Sequence, residues 1–436
     1  LNYNNALIYL EGLGNFGIKP GLQRMHNLLQ EMGDPHKKLR YIHVTGTNGK
    51  GSTIAFINSI LTEAGYRVGV YTSPHLNTWN ERIKLNNNYI TDEEFARLVF
   101  FVKDAVDKMI EKGYEHPTVF EIITAIAFQF FSENCCDIVL LEVGLGGEFD
   151  ATNVIDAAEV SIITKISMDH SEYLGRTIED IARTKSGILK KGTTLVLYPQ
   201  DGHSENIIIE KATKNQCKVI IPDFAQIKIN KMSIKGTSYR YSCYEEFNIS
   251  LLGEHQIFNS IVALHACIAL DQQGIFRINL NHIKQGLMKA HWSGRIEVLN
   301  DKPYIIMDGA HNEDGVFSLV KALKAYFPNK NINFIFGVLK DKDYLKMTQY
   351  ILPIAKFVST VSPLSDRSLS AAMLADIIHK QNFDNVKNFE NLKEALHWNL
   401  SQSEEDAIIC IMGSLYVVGE AKQLYQKGDY NATELV

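Results

Sequence analysis

The residues best suited to chemistry lie in Tyr41-Ile-His-Val-Thr-Gly-Thr-Asn-Gly-Lys-Gly-Ser52, a β-rich run that enters a glycine-rich turn and opens onto a helical pattern. Such a turn binds phosphate: glycines let backbone N–H groups converge on oxygens, and the helix N-terminus adds about half a positive charge. Thr47, Asn48, Gly49, Lys50, Gly51 and Ser52 are the candidate nucleotide-binding residues, with Lys50 on the β/γ-phosphates and the Ser52 hydroxyl near a Mg2+ ion. The strict Walker spacing is not met, because Val44 takes its first glycine position and Gly51 separates Lys50 from Ser52. A chance Gly/Lys turn is the alternative; strand, glycines, lysine, hydroxyl and helix occurring in order weigh against it. Glu142 closes an apolar run, where a buried, unpaired carboxylate would be costly.

These residues need elements to hold them. Strands are expected at Tyr41 to Thr45, Val68 to Tyr71, Ile138 to Glu142, Val160 to Thr164 and Thr194 to Leu197. Helical patterns run from Lys50 to Ala64, Asp92 to Ile110, Thr118 to Glu133 and Ile178 to Leu189. The alternation predicts an α/β domain with a mostly parallel sheet. Short alternating segments between Ala225 and Leu252 predict a small antiparallel patch decorating that domain. A second α/β cycle follows Arg295, with strands at Tyr304 to Met307, Ile332 to Phe336 and Ala407 to Ile411 and helices at Asp314 to Tyr326 and Tyr344 to Leu352. The expected division is a catalytic domain, 1–295, and a smaller Rossmann-like α/β domain, 296–436, meeting at a ligand-binding cleft. There is no repeat of 20 to 50 residues and no low-complexity segment.

Composition narrows the partners. The 436 residues are 45% hydrophobic and 22% charged, as in packed globular proteins. With 44 Lys and Arg against 50 Asp and Glu, the net charge of -6 disfavours nucleic acid as a partner. Cys135, Cys136, Cys217, Cys243, Cys267 and Cys410 form no C-x-x-C pair and no zinc spacing, so they are expected as reduced thiols of a cytoplasmic protein. Residues 1–20 carry no basic head followed by an apolar run, and no stretch is long enough for a membrane span, so secretion and insertion are disfavoured.

The phosphate-loop spelling resembles the Mur ligase superfamily, and further motifs narrow the resemblance to the folylpolyglutamate synthase/dihydrofolate synthase family. They run from Phe16-Gly-Ile-Lys-Pro-Gly-Leu-Gln-Arg-Met25 through Thr72-Ser-Pro-His-Leu76, Glu81-Arg-Ile83, Phe120-Glu121 and Glu142-Val-Gly-Leu-Gly-Gly147. They continue with Asp150-Ala-Thr-Asn153, Ser167-Met-Asp-His170, Gly253-Glu-His-Gln256, Trp292-x-Gly-Arg295, Asp308-Gly-Ala-His-Asn312 and Gly413-Ser-Leu-Tyr416, in family order across nearly the whole chain.

The resemblance implies a P-loop Mur-ligase-like domain and a C-terminal glutamate ligase domain. It implies ATP and one or two Mg2+ ions as cofactors. Ser73, Glu142 and His170 are implied as metal ligands, with Ser52 near the ATP-bound metal; a salt bridge for Glu142, a turn hydroxyl for Ser73 and a satisfied loop histidine for His170 are the alternatives. Imidazole is an uncommon Mg2+ ligand, which leaves weak or water-mediated binding open for His170. Asn259, Arg295, Asp308 and His311 fall at ATP, and Phe120, Glu121, Asp150 and Ala151 at the pteroyl substrate. Lys50, His170 and Lys185 are the implied catalytic residues. Lys185 falls where the family carries a carbamylated lysine, although Thr184 and Ser186 replace the usual neighbours; an ordinary helix lysine is the alternative. Glu313 takes the place of the family's proline after Asn312, a locally favourable acid at a helix start.

An amide forms from a free carboxylate only when coupled to ATP, and no nucleophilic Ser or Cys sits in an elbow. Phosphoryl transfer to the substrate carboxylate, which depends on positioning and charge neutralisation, suits this inventory. The expected reaction adds L-glutamate to the γ-carboxyl of a folate, and also to 7,8-dihydropteroate, in a monomer. Glu148 stands where the family commonly has Arg; it either alters the pterin pocket, putting the dihydropteroate reaction in question, or is a solvated loop residue. The competing functions are a Mur-type ligase acting on a cell-wall precursor and a nucleotide-controlled switch.

Overall fold

The computed structural model describes residues 2–14 and 19–428, with Glu245 given by its backbone alone. Phe16, Gly17 and Ile18 of the first family-like motif lie outside the described residues. Two compact units emerge: Leu1–Ile227, Tyr241–Cys243 and Phe258–Ala290 form one, and Lys228–Arg240, Tyr244–Ile257 and His291–Val436 the other.

The first unit is built on strands β1 (Tyr41–Thr45), β2 (Val68–Tyr71), β3 (Ile83–Leu85), β4 (Asn88–Tyr89), β5 (Ile138–Glu142), β6 (Val160–Ile163), β7 (Thr194–Leu197) and β8 (Lys218–Ile220). Their order is β4-β3-β2-β5-β1-β6-β7-β8. β2, β5, β1, β6, β7 and β8 are parallel, and β3 and β4 add an antiparallel edge. β1 and β5 are buried along their whole length, as strands covered on both faces must be. From β1 the chain crosses to β2 on one side, and from β5 to β6 on the other. The crevice beyond the carboxyl ends of β1, β5 and β6 is therefore a topological switch point, where open α/β sheets bind ligands.

One face is covered by helices Tyr3–Gly12, Gln23–Glu31, Asp92–Glu111 and Val119–Glu133, which share a core with Tyr41, Val139 and Leu141. Helices Ile178–Ser186 and Gly202–Lys214 supply a second core against β6 and β7. Thr91, Thr118 and Thr177 cap three of these helices, accepting from backbone amides three residues on.

In the second unit β9 (Ile227–Ser233), β10 (Gly236–Tyr241) and β11 (Tyr244–Ile249) form a sheet in the order β11-β10-β9. The antiparallel patch expected to decorate the first domain thus groups with the second unit. The reason is long-range packing: Ile234 lies against the core that contains Leu252, Gly253 N donates to Tyr326 Oη at 2.6 Å, and Lys321 pairs with Glu254. A six-stranded sheet follows, with β12 (Glu297–Asp301), β13 (Tyr304–Asp308), β14 (Ile332–Phe336), β15 (Ala355–Thr360), β16 (Val386–Asn388) and β17 (Ile408–Met412) in the order β12-β13-β17-β14-β15-β16. Only β12 runs antiparallel. All six cysteines are free thiols, Cys136, Cys267 and Cys410 buried among them. No described helix is long and apolar enough to cross a membrane.

Candidate active site

Thr47 to Ser52 turn directly out of β1 into the helix Lys50–Glu63. Gly49 has φ +93°, and a Cβ there would stand 2.5 Å from Asn259 Oδ1, so only glycine admits both the turn and the buried asparagine behind it. The loop is tied to the segment after β6: Thr47 N and Asn48 N donate to Lys165 O at 2.9 and 3.2 Å, and Thr47 Oγ1 donates to Ser167 O at 3.0 Å. Ser52 is buried in the first helical turn. Lys50 Nζ donates to Gly46 O and Thr47 O at 3.1 and 3.2 Å and lies 3.9 Å from Glu142 Oε1. The salt bridge weighed for Glu142 is therefore present. Its other oxygen accepts from Ser73 N at 3.2 Å, which brings Ser73 beside it. From behind, Arg82 Nε donates to His75 Nδ1 at 2.9 Å, anchoring the segment that carries Ser73.

Lys185 comes from the helix Ile178–Ser186 and is 4% exposed, with Nζ donating to Gly46 O at 2.9 Å. Burial, followed by the charge of Lys50, pushes its amine down to about 7, against the pull of Asp169 and Asp150. His170 is exposed, in the left-handed conformation (φ +52°), with Nε2 4.0 Å from Asp169 Oδ2. Among the described residues no three His, Cys, Asp or Glu side chains gather as a metal site. The donors at hand are one buried carboxylate, Glu142, and the hydroxyls of Ser73 and Ser52. This all-oxygen set suits a hard cation that keeps waters and takes further ligands from substrate phosphates.

Phe120, Glu121, Asp150 and Ala151 take different positions. Phe120 packs onto Gly144, so closely that no side chain fits there, with its ring centroid 6.1 Å from that of Tyr71. Glu121 is buried and occupied: Oε2 accepts from Thr118 N at 2.7 Å and from Arg24 Nε at 3.2 Å, and Oε1 lies 3.1 Å from Arg24 Nη2. The Thr118-x-x-Glu121 spacing is a capping-box signature that explains this glutamate without a ligand. Asp150 is also buried, accepting from Leu145 N (2.9 Å), Thr152 N (3.0 Å) and Thr152 Oγ1 (2.6 Å). Burial raises its carboxyl above the ordinary range, although those bonds oppose the shift. Ala151 lies in the apolar core. The side chain of Glu148 is exposed, while its N donates to Thr184 O at 3.0 Å and its O accepts from Asn153 Nδ2 at 2.9 Å. The exposure is what the solvated-loop alternative requires; the pocket alternative is left to experiment.

In the second unit, Asp308 ends β13, and its carboxylate accepts from Ile296 N at 2.8 Å and Ala310 N at 2.7 Å. Burial raises its pKa against those bonds and the charge of Arg295. Arg295 lies against Gly309, with Nη1 donating to Gly294 O at 3.0 Å, and His311 Nδ1 donates to Gly309 O at 2.7 Å. These three residues form one cluster at the carboxyl end of β13.

Comparison with known proteins places this geometry. Residues 44–267 match the Mur ligase middle domain, and residues 294–415 the Mur ligase glutamate ligase domain. The dihydrofolate synthase/folylpolyglutamate synthase of Bacillus subtilis is 37% identical, covering 97% of this chain and 98% of its own length. The chain belongs to the folylpolyglutamate synthase/dihydrofolate synthase family. Among solved structures of that family, Mycobacterium tuberculosis folylpolyglutamate synthase complexed with ADP and AMPPCP superposes with a TM-score of 0.89 at 27% identity, covering 97% of this chain and 99% of its own. Escherichia coli FolC in complex with DHPP and ADP gives 0.85 at 26% identity, covering 98% of each chain.

Proposed function

We propose that this family member is an ATP-dependent carboxylate–amine ligase that adds L-glutamate to the γ-carboxyl of folates and to 7,8-dihydropteroate. The observation that carries the reaction type is the Lys50–Glu142 pair, 3.9 Å apart, beside the glycine-rich turn that opens onto the helix Lys50–Glu63. The substrate carboxylate attacks the γ-phosphate of ATP, giving an acyl phosphate and ADP. The glutamate amine then attacks the acyl carbon, the C–O bond breaks, and inorganic phosphate leaves as the amine loses a proton. Lys50 neutralises charge on the phosphates, and Asn259 braces the loop through Gly49. Glu142 and the Ser73 and Ser52 hydroxyls would hold Mg2+, which supplies charge neutralisation at the phosphates; His170 joins directly or through water. In the second unit Arg295, Asp308 and His311 are assigned to the nucleotide, a reading supported by the family motif and their clustering.

Lys185 is assigned as a carbamate. The support is a buried amine whose proton is lost near neutrality, the form that adds CO2 with release of one proton, while the remaining N–H still donates to Gly46 O. Like the B. subtilis relative, whose name carries both activities, the protein is read as bifunctional. It is further read as a cytoplasmic monomer.

The test is ATP-dependent phosphate release with Mg2+ and L-glutamate, comparing 7,8-dihydropteroate and tetrahydrofolate, with each product weighed by mass spectrometry. One added glutamate on both acceptors is expected. Release with tetrahydrofolate alone removes the dihydropteroate reaction, and silence with both overturns the folate assignment.

A further inference from the structure

β1 does more than feed the phosphate loop. Tyr41, His43 and Thr45 alternate with Ile42 and Val44, so His43 and Thr45 share one face of the strand. Both reach the loop that follows β5. Thr45 Oγ1 donates to Gly146 O at 2.7 Å, and His43 Nε2 lies 2.8 Å from Thr152 Oγ1, both contacts fully buried. The proton order follows from the donor inventory. Thr152 has a single hydroxyl proton, and it goes to Asp150 Oδ1 at 2.6 Å. With Asp150 as carboxylate, the histidine carries its proton on Nε2 and donates to Thr152. Its Nδ1 is buried with no hydrogen-bond partner among the described residues, which suits a bare acceptor nitrogen better than an orphaned N–H. Burial lowers the ring to about 3, so it is neutral and the tautomer is the only variable left.

The end of this relay, Asp150, gathers Leu145 N and Thr152 N onto its carboxylate and so closes the Gly144–Asp150 turn on which Phe120 rests. We propose that His43 is a positioning residue for the acceptor: by donating through Thr152 to Asp150 it orders the Gly144–Asp150 loop, and it sets affinity for the pteroyl end of the acceptor without touching it. The acceptor's identity rests on the function proposed above; the ordering of the loop does not.

The experiment compares H43L, H43Q, T152V and H43L/T152V with the wild type. Expected for H43L is a ~10-fold rise in acceptor KM, the scale of one buried hydrogen bond, with ATP KM within ~2-fold. H43Q, whose side-chain amide restores a donor, returns to within ~3-fold of wild type, and the double variant is no worse than the poorer single one. The Leu145 amide, bonded to Asp150, is expected to be protected from hydrogen exchange in the wild type, to lose protection in H43L and to regain it in H43Q. An unchanged acceptor KM in folded H43L, an ATP KM that rises equally, or an H43Q no better than H43L overturns the proposal. If H43L fails to fold, T152V and H43Q carry the comparison, and a 15N spectrum showing the Nδ1–H tautomer in the wild type overturns it outright. If the wild type turns over neither folate, the function assignment has failed; the exchange of Leu145 in H43L and H43Q still decides whether the relay orders the loop.

Discussion

The loop after β1 and the loop after β5 lie side by side in the sheet and are held in opposite ways. The phosphate loop is fastened at several of its own backbone atoms: its amides donate to Lys165 O, and its carbonyls receive the side-chain amines of Lys50 and Lys185. The Gly144–Thr152 loop leans on buried side chains: Thr45 and His43 each reach it through one hydrogen bond, and Asp150 gathers three, beside the backbone tie of Glu148 N to Thr184 O. A loop held at several backbone atoms, two of them by Lys165 O, keeps its shape when one side chain is changed, so chemistry can be removed from it without removing the fold. A side-chain-held loop cannot separate the two.

Lys50→Ala tests the first half of that contrast. It should lower kcat for ATP-dependent phosphate release by about 10²–10³-fold or more, the scale seen when a charge-stabilising donor is lost, while the melting temperature stays within a few degrees. A large fall in melting temperature would mean that the loop leans on Lys50 for its shape.

Asp150→Ala tests the second half. It strands Leu145 N, Thr152 N and the Thr152 hydroxyl, and should cost about 2–4 kcal/mol in chemical denaturation together with a raised acceptor KM. Lost affinity at unchanged stability would break the contrast.

Lys185 sharpens it through pH. Its folded pKa of about 7 lies below the ordinary lysine value of 10.5, so the unfolded chain holds more protons between those limits. Below pH 7 the amine is protonated in both states and the burial penalty is fully present. As pH rises from 7 towards 10 the penalty is relieved, and stability gains up to about 1.4 kcal/mol per pH unit from this group. In CO2-free buffer, where the carbamate reverts to the amine, urea unfolding of wild type and Lys185→Met across that range should show the slope in the former and its loss in the latter, and added bicarbonate should flatten the wild-type slope. Equal slopes in CO2-free buffer would mean that the amine takes up protons alike in the folded and unfolded chain.

The smallest effect is expected at Glu148→Arg. With the side chain exposed and only backbone atoms anchored, stability should move by less than about 0.5 kcal/mol, and the ratio of dihydropteroate to tetrahydrofolate turnover by less than ~3-fold. A larger change in the ratio would assign the side chain to the acceptor pocket.

The phosphate loop was legible in sequence because its determinants are contiguous: β1, Gly49, Lys50 and the following helix are one uninterrupted word. Most of the central parallel strands were legible for a related reason, since full burial makes them largely apolar; the parallel strands β8, β15 and β16, shorter or partly exposed, were not among those expected. What escaped depends on partners far along the chain. His43 and Thr152 are 109 residues apart, and nothing local marks either as one end of a relay. The edge strand β12 and the β3–β4 hairpin are short and partly exposed, with little apolar signal. The grouping of the antiparallel patch was set by Ile234, Leu252 and Tyr326, a tertiary matter. Arg24 and Thr118 could have been found, because a hydroxyl three residues before Glu121 announces a cap and a buried cap carboxylate calls for a cation.

β1 also acts as a ruler. Each residue of the strand advances about 3.3 Å, and alternate residues face opposite ways. His43 and Thr45 therefore grip the neighbouring loop at a fixed spacing, and the strand hands over to Gly46 at a fixed height above them. One residue inserted into Tyr41–Thr45 would turn both grips to the face now occupied by Ile42 and Val44 and lift the phosphate loop off its carbonyl anchors. Surface turns elsewhere can lengthen or shorten; this five-residue strand has no such freedom, because two loops take their measure from it.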